Sequence, residues 1–477
     1  MEPEQKQNIK TNAKDPVLIA KAMLDAHPEI VRCQENIYRF NGKFYDLLTD
    51  KDLDGLFLDF CLSTGATNAW KQINSIIRAF LVYPGAKTIK AMNDYQDLIC
   101  LNNGILNIHT KEFKPHPTEY YFDSCVNVDY DENAKDCPVF LKYLGNTFNN
   151  DKETMGNIIR LGGYLLDTSC AAERMFLFDG NGANGKSVLI NTFSLFFSED
   201  QISPLSLDVL ASNGFSKELL IKSRVNLAAE QKKSYLDAEE VKKIITGDRI
   251  EINRKFKVSL SFTPKTKIIV ACNGLPKFND TTHAIYRRMI LIRFHNQYLA
   301  PTDYERAKST RRNVFLKDNS LFEKIKSEKS AILNLFIEGL IELRKNNYEF
   351  VESRDSVSAM LEFKRDSDTV REFLEDNYEV DKNGSLAVSV VYEHYRQWYF
   401  QNVSNSILKF RKNELGRRIV DILGVAASGR EYVFNGQTQK SERETMYPIK
   451  LKTEPVEEHV CTPEEKEKIE QELGLKF

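Results

Sequence analysis

The stretch Gly180-Asn181-Gly182-Ala183-Asn184-Gly185-Lys186-Ser187 decides how the fold of this chain is interpreted. It matches the phosphate-loop pattern G-x-x-x-x-G-K-[ST] at every fixed position. The apolar run Met175–Phe178 before it predicts a buried strand, and Val188–Ile190 after it can open a helix. Glycines let the loop turn its N–H groups toward phosphates, and the helix N-terminus adds a positive dipole end.

This loop predicts a nucleoside triphosphate site with ATP and Mg²⁺ as cofactors. All eight residues cradle the phosphates in this interpretation, while Lys186 reaches the β- and γ-phosphates and the Ser187 hydroxyl ligates Mg²⁺. A chance glycine-rich turn is the alternative, and the strand before the loop and the helix after it argue against that alternative.

Composition sets broad limits. A chain of 477 residues predicts about three domains. Its net charge of −2 neither supports nor excludes binding to nucleic acid, so that question depends on local basic patches. No apolar run approaches the ~20 residues of a membrane span, and the polar N-terminus is not a secretory signal. Eight scattered cysteines without a C-x-x-C pair argue against zinc and favour a reducing, cytoplasmic compartment.

The order of patterns predicts five segments. An Asn-Gly hairpin over 38–45 and a strand–turn–strand over 99–108 indicate an α+β domain, whereas a helix over 152–166 leads into the loop. A charged helical region follows, with an apolar stripe at Ile332, Leu333, Phe336, Leu340 and Leu343. The predicted boundaries are 1–145 (N-terminal domain, for oligomerisation or a DNA collar), 146–300 (motor), 301–365 (helical lid), 366–452 (basic module) and 453–477 (acidic tail).

Two polar residues end apolar strands after the loop. Val225–Glu230 predicts a strand that ends in a carboxylate, which would polarise water or hold Mg²⁺. Lys267–Asn273 predicts a strand that ends in an amide, which can orient water against the γ-phosphate. A surface glutamate and a turn asparagine are the alternatives. Arg287 and Arg288 precede another apolar strand and suit either solvated charge or an arginine finger.

The order of these motifs resembles the superfamily 3 helicases, most closely the phage/plasmid type that is often fused to a primase. The segments that carry the resemblance are DGNGANGKSVL, NLAAEQ, ITGDRIEINRKFKVSLSFTPKTKIIVACN and AIYRRMILIRF, together with the upstream LICLNNGILNIHTKEFKPHP and VDYDENAKDCPVF. They cover about residues 90–300. The chain is thereby similar to replication initiator helicases (Rep) of phages, plasmids or mobile islands.

The resemblance implies an α/β fold with an AAA+-type P-loop parallel sheet, and a hexameric ring with ATP sites between subunits. It implies roles for Glu230 as the catalytic acid, for Asn273 as the sensor and for Arg288, or alternatively Arg287, as the finger. Many members carry two adjacent acids, whereas Ala229 precedes Glu230 here, so this motif offers a single carboxylate for metal ligation.

Alternating apolar residues around 250–262 predict a hairpin with its turn at Arg254, Lys255, Phe256 and Lys257. Three cations with one aromatic ring suit single-stranded DNA, and an ordinary exposed hairpin is the alternative. The resemblance implies that this hairpin points into the channel of the ring.

Three helices and a hairpin over 366–452 predict a winged-helix module. Residues 404–452 contain ten basic and five acidic residues, a local charge of +5. The predicted duplex contacts are Lys409, Arg411, Lys412, Arg417 and Arg418 on the third helix and its approach, and Arg430 and Lys440 on the hairpin. A solvated domain that only packs on the motor is the alternative.

The leading prediction is an ATP-dependent hexameric DNA helicase that recognises an origin and unwinds it in a bacterial host. The resemblance implies 3′ to 5′ polarity. A P-loop switch or loader that binds DNA without unwinding is the alternative. Asp129 and Asp131 resemble paired polymerase acids, but the upstream region is short for a primase, so a separate primase and host replication proteins are the expected partners.

Overall fold

The structure is a computed structural model. It describes residues 15–34, 36–65, 71–212, 214–231, 235–236, 238–253, 259–278, 284–366, 368–403, 411–435 and 440–452, and gives the backbone alone for residues 229–231, 235, 277, 366, 434–435 and 440–442. The chain forms two compact units, Met1–Leu361 (the first unit) and Glu362–Phe477 (the second unit). No helix in the described ranges is long and apolar enough to cross a membrane.

The first unit begins with a four-stranded sheet packed against three helices. The elements are α1 Pro16–Ala26, β1 Ile30–Cys33, β2 Asn36–Phe40, β3 Tyr45–Leu47, α2 Asp50–Thr64, α3 Ile73–Val82 and β4 Thr88–Ile89. The sheet order is β3-β2-β1-β4. The predicted hairpin is confirmed, since β2 pairs antiparallel with β3. Asn41 stabilises its turn by accepting hydrogen bonds from the N–H groups of Lys43 and Phe44 at 2.9 and 3.0 Å.

A small sheet and two helices lead toward the phosphate loop. The elements are β5 Leu98–Leu101, β6 Gly104–Asn107, β7 Phe113–Lys114, α4 Pro138–Thr147 and α5 Lys152–Leu166. The antiparallel pairing of β5 with β6 confirms the predicted strand–turn–strand. Helix α5 has the predicted bounds, and the Asp151 carboxylate caps it by accepting from the N–H groups of Glu153 and Thr154.

The rest of the first unit is an alternation of strands and helices. Its elements are β8 Met175–Asp179, α6 Lys186–Ser194, β9 Ile202–Ser203, α7 Leu207–Ala211, β10 Val225–Gln231, β11 Tyr235–Leu236, α8 Ala238–Thr246, β12 Ile250–Ile252, β13 Leu260–Phe262, β14 Lys267–Cys272, β15 Lys277–Phe278, β16 Met289–Arg293, β17 Gln297–Leu299, α9 Pro301–Ala307, β18 Val314–Leu316, α10 Leu321–Ser327, α11 Lys329–Lys345 and α12 Arg354–Asp366.

Five of these strands form the central sheet, and all of its pairings are parallel. The strand order is β16-β8-β14-β10-β9. Every residue of β14 is buried, and so are the first four of β8. Parallel strands covered on both faces read as continuous apolar runs, which is why the sequence predicted them. Because the strands run in the same direction, the carboxyl ends of β8, β10 and β14 share one edge of the sheet.

Helices α5 and α11 cross closely beside this sheet. A Cβ atom at Gly163 would lie 2.4 Å from the backbone of Phe336 and Leu340, and one at Gly339 would lie 2.6 Å from the carbonyl oxygen of Ile159. The predicted apolar stripe of α11 is buried in a hydrophobic core whose members range from Ile99 to Leu343. That core contains residues from both sides of the predicted boundaries near residues 145 and 300, so these segments share one core. The division into domains stays a prediction.

One part of the predicted helical lid is not helical. Strand β18 lies inside residues 301–365 and pairs in parallel with β17. The run Val314-Phe315-Leu316 carries a β-branched and an aromatic residue, which favour a strand, and it is too short to show a helical period.

Over residues 368–403, 411–435 and 440–452, the second unit contains three helices and a hairpin in the predicted order. Its elements are α13 Thr369–Asn377, β19 Tyr378–Val380, β20 Leu386–Ala387, α14 Val388–Asn402, α15 Lys412–Leu423, β21 Gly429–Asn435, β22 Lys440–Tyr447 and β23 Ile449–Leu451. Strands β20, β22 and β21 form one antiparallel sheet. The three helices share a core that includes Phe373, Val391, Tyr395 and Leu415. The winged-helix interpretation of this arrangement stays a prediction.

Candidate nucleotide site and nucleic-acid contacts

The loop 180–185 connects the carboxyl end of β8 to the first residue of α6. Gly185 caps the helix with a φ of 92°, a conformation that favours glycine. A Cβ atom at Gly180 would lie 2.3 Å from Asn184 Nδ2 and 2.8 Å from the carbonyl oxygen of Phe294. Both glycines of the motif are therefore required by the shape of the loop itself.

Two tyrosines hold the loop from outside. The buried Tyr143 of α4 donates its hydroxyl to the Gly185 carbonyl oxygen at 2.9 Å. The backbone N–H of Tyr298 donates to the Ala183 carbonyl oxygen at 2.6 Å, and the Tyr298 hydroxyl bonds Thr147 at 2.7 Å. Nothing in the spacing of Tyr143 or Tyr298 relates them to the loop, so these supports were not predictable from the sequence.

The structure brings Lys186 and Asn273 together. Lys186 is buried, with 7% of its surface exposed, and its ammonium group donates to the Gly180 carbonyl oxygen and to Asn273 Oδ1, the latter at 3.2 Å. Asn273 follows β14, which lies beside β8 in the sheet. A buried ammonium is costly unless it has partners, so a lysine kept at this position is suited to a polyanion.

A polar cavity of about 490 Å³ opens beside the loop. Its lining includes Gly180, Asn181, Asn273, Arg293, His295 and Gln297. A second cavity of about 480 Å³ shares His295 and Gln297 and extends to Arg311 and Arg312. The loop therefore faces a surface that carries cationic side chains from β16 and from the segment between α9 and β18.

The charges around this cavity are coupled. Arg293 Nε lies 3.9 Å from an oxygen of Asp179. Burial raises the pKa of Asp179, while Arg293 and Lys186 act to lower it. His295 Nε2 lies 3.0 Å from both carboxylate oxygens of Asp355 on α12, and this hydrogen bond raises the pKa of His295. Arg293 was not among the predicted site residues, although its place at the end of an apolar strand was a signal.

The residues around the loop fit a phosphate chain. Asn184 Nδ2 is buried and has no hydrogen-bond partner among the described atoms, so an anionic oxygen would satisfy it. The exposed Ser187 stands in the first turn of α6, where a hydroxyl can reach a metal ion. No three His, Cys, Asp or Glu side chains of the described ranges form a metal cluster. Mg²⁺ that enters with a nucleotide needs few protein ligands, because phosphates and waters supply the rest.

The backbone of Glu230 lies in β10, near the carboxyl end of that strand. Strand β10 pairs with β14, with Gln231 opposite Cys272. The main chain of Glu230 is therefore at the same edge of the sheet as Asn273 and Gly180, whereas its side chain lies outside the described atoms.

The two predicted finger arginines lie at the other edge. Strand β16 pairs Met289 with Met175 and Arg293 with Asp179, so Arg288 stands at the amino end of β16. The length of a five-residue strand, about 16 Å, separates that end from the loop of the same chain. Arg288 Nη2 lies 3.4 Å from a carboxylate oxygen of Glu173, while its Nε is buried without a partner among the described atoms. Arg287 is exposed.

The structure contains the two paired strands that form the stem of the predicted DNA hairpin. Strands β12 and β13 pair antiparallel, with Ile250 opposite Phe262 and Ile252 opposite Leu260. The predicted turn residues, Arg254, Lys255, Phe256 and Lys257, lie outside the described residues.

The predicted DNA contacts of the second unit differ in their surroundings. Lys412 pairs with Glu444 at 2.6 Å, and Arg418 pairs with Asp368. Arg411, Arg417 and Arg430 are exposed. Lys409 lies outside the described residues, and only the backbone of Lys440 is described, within β22. The basic charge of α15 is thus partly neutralised by acids of the same unit.

Comparison with known proteins finds two families and several viral relatives. Residues 20–149 match the family described as D5 N terminal like, and residues 178–288 match a family of unknown function, DUF5906. The chain is similar to "Putative helicase L207/L206" of Acanthamoeba polyphaga mimivirus, with 24% identity over 333 residues, 66% of this chain and 34% of that protein. It is also similar to "Putative helicase 121R" of Invertebrate iridescent virus 3, with 22% identity over 382 residues, 73% of this chain and 40% of that protein.

The chain spans less than half the length of these relatives. Among solved structures, the apo C-terminal region of NrS-1 is similar over 92% of this chain and 100% of that chain, with 13% identity and a TM-score of 0.47. That TM-score is too low to establish a shared fold.

Proposed function

We propose that this chain is an ATP-driven DNA helicase that opens a replication origin of a virus, phage or other mobile element. The observation that carries the proposal is the meeting of Lys186, Asn273 and the glycine loop beside a polar cavity. A lysine and an amide that meet at the edge of a parallel sheet suit binding and hydrolysis of a phosphoanhydride.

Each group has a role in this proposal. The N–H groups of residues 180–187 and the ammonium of Lys186 bind the phosphates, and Ser187 holds the Mg²⁺ that accompanies them. Glu230 activates the attacking water, and Asn273 orients that water against the γ-phosphate. ATP with Mg²⁺, when bound, would supply the phosphoanhydride and the neutralisation of its charge, and the protein contributes position and a fixed field.

The position of the arginines supports a ring of subunits. Arg288 is a strand's length away from the loop of its own chain, and this distance supports a role at the nucleotide of a neighbour. A finger supplied in trans links hydrolysis to assembly, as expected for a homo-oligomer that closes into a hexamer.

Two surfaces bind DNA in the proposal. The hairpin of β12 and β13 binds single-stranded DNA through its turn residues. The cations of the second unit bind the origin duplex. The names of the viral relatives agree with a helicase, and the D5-like amino-terminal match agrees with a replication role. A separate primase and host replication proteins complete the proposed set of partners.

Strand separation distinguishes a helicase from a P-loop switch or loader. The test measures unwinding of forked substrates with a 3′ or a 5′ loading tail, under multiple turnover with ATP and Mg²⁺. We expect the wild-type protein and the exposed-lysine control Lys345→Ala to unwind one polarity, and Asn273→Ala to lose activity. ATP hydrolysis without unwinding of either fork would establish the switch or loader instead.

A further inference from the structure

The hairpin of the second unit gathers an aromatic ring and two guanidinium groups on one face. Strands β21 and β22 pair with Tyr432 opposite Arg443 and with Arg430 opposite Thr445. Side chains alternate along a strand, so Arg430 and Tyr432 share a face with Arg443. Directly opposite and diagonal neighbours in such a ladder lie within about 8 Å of one another. We call Arg430, Tyr432 and Arg443 the hairpin triad.

The triad is exposed to solvent. Tyr432 has 75% of its surface exposed, more than any other large hydrophobic side chain in the described ranges. Arg430 and Arg443 are exposed as well. Within the described part of the chain, no side chain of the triad has a hydrogen bond, an ion pair or a ring contact. The triad therefore presents an exposed aromatic ring beside two exposed cations, which is the combination that binds single-stranded nucleic acid.

Other cations of the second unit are engaged by acids. Lys412 pairs with Glu444, Arg418 with Asp368 and Arg371 with Glu375. Lys450 likewise contacts Glu379 and Asp381 at 3.3 and 3.4 Å. The hairpin triad therefore offers positive charge that forms no ion pair with the described acids of its unit, which suits a polyanion.

We propose that the hairpin triad binds an unpaired segment of nucleic acid, with a base stacked on Tyr432 and neighbouring phosphates held by Arg430 and Arg443. A phenol ring can stack only on a base whose face is free, and the bases of an intact duplex already stack on each other. Stacking on an aromatic platform combined with backbone cations is the usual chemistry of single-strand binding. The inference rests on the proposed DNA-binding role of the second unit and deepens it, because it assigns Arg430 and Arg443 to an unpaired strand rather than to the origin duplex.

The test uses the 477-residue chain without nucleotide and a fluorescent oligothymidine, with a duplex of the same length for comparison. Tyr432→Ala should weaken single-strand binding by roughly 5- to 100-fold, the range expected for one stacked base, while Tyr432→Phe keeps it. Arg430→Ala and Arg443→Ala should each reduce the salt slope of single-strand binding by about 0.7. Phe400→Ala is the matched control, because Phe400 is another exposed aromatic of this unit, with 58% of its surface exposed; it should change nothing.

A cross-linking measurement separates this contact from binding by the first unit. An oligonucleotide with one 5-iododeoxyuridine, irradiated in the complex, should attach to the peptide that contains Tyr432. No such attachment, together with unchanged single-strand affinity in Tyr432→Ala, would overturn the inference. Equal loss on duplex and single strand would assign the triad to duplex contact, and binding to an acidic peptide but not to DNA would assign it to a protein partner; both results contradict it.

These results are independent of ATP. A protein that binds single strands through Tyr432 but hydrolyses no ATP would refute the motor and leave the hairpin site in place. An active helicase whose single-strand affinity is unchanged by Tyr432→Ala would refute the hairpin site and leave the motor in place.

Discussion

At the scale of single residues, Arg293 is the cation that the sequence analysis overlooked. It stands at the carboxyl end of β16, lines the cavity beside Gly180 and lies near Asp179. A guanidinium at this place should hold phosphate by charge-assisted hydrogen bonds worth about 1.5–3 kcal/mol. We expect Arg293→Gln to weaken ATP binding by roughly 10- to 100-fold in calorimetric titration. The exposed Arg306→Gln, tested beside it, should bind ATP like the wild type, and equal affinities in all three proteins would contradict the assignment.

The pair of His295 and Asp355 predicts a dependence of stability on pH. The hydrogen bond between them raises the pKa of His295 above 6.5 and lowers that of Asp355 below 3.8. The histidine's share of stability is complete below pH 6.5 and is lost as the pH rises through its folded-state pKa. The share of Asp355 is complete above pH 3.8 and is lost as the pH falls through its own folded-state pKa. Both groups are nearly half exposed, so the pair contributes at most about 1 kcal/mol.

Thermal unfolding at two pH values checks this pair. Asp355→Asn should lower the melting temperature at pH 6 and lower it much less at pH 9, where His295 is neutral in both proteins. Arg293 and Asp179 also face His295, so their charges must stay unchanged in the comparison. The exposed Asp303→Asn serves as the control. An equal fall in melting temperature at pH 6 and pH 9 would mean that the charge of His295 does not contribute to stability.

The sequence predicted the residues that a fixed spacing identifies and missed those that only the fold brings close. Lys186 and Asn273 are 87 positions apart and lie side by side, as the order of strands led us to expect. Tyr143 and Tyr298 reach the loop through packing, which leaves no periodic signal. The neutralisation of Lys412 by Glu444 was equally invisible, because 32 residues separate the two.

At the scale of elements, the crossing of α5 and α11 depends on glycine. A Cβ atom at Gly163 would meet backbone atoms that cannot move aside, whereas one at Gly156 on the same helix would meet only the flexible guanidinium of Arg160, at 3.1 Å. Gly163→Ala should destabilise the first unit by about 1–3 kcal/mol through overpacking. Gly156→Ala should be neutral or stabilising by up to about 1 kcal/mol. Denaturant unfolding of both variants measures the difference, and similar stabilities would refute the tight crossing.

Elements were predictable wherever the apolar period was long or uninterrupted. The strands β8 and β14 are continuous apolar runs, and the stripe of α11 repeats at helical spacing. Strand β18 has only three residues and stands among charged residues, so no period could reveal it. Its pairing with β17 is decided by contacts between distant segments, which local propensity does not encode.

At the scale of the whole molecule, the ring proposal predicts rescue between inactive subunits. Arg288→Ala should reduce ATP hydrolysis by roughly 10³- to 10⁵-fold, as for other arginine fingers, while nucleotide still binds. A mixture with Glu230→Gln subunits should regain activity, because some interfaces then combine an intact Glu230 with an intact Arg288. Steady-state ATPase of the mixtures against each variant alone measures the rescue. Absence of rescue, with monomers in the presence of ATP and DNA, would exclude a shared site.

The central claim is that the loop at the carboxyl edge of the sheet is an ATP-hydrolysing site, and ATP turnover by Lys186→Ala tests it most directly. The ammonium of Lys186 contacts the loop and Asn273, so its loss should remove phosphate binding without opening the core. We predict a fall in turnover of at least about 10²-fold with an unchanged melting temperature, while the exposed-lysine variant Lys345→Ala turns over ATP like the wild type. Turnover by Lys186→Ala within a few-fold of the wild type would contradict the account.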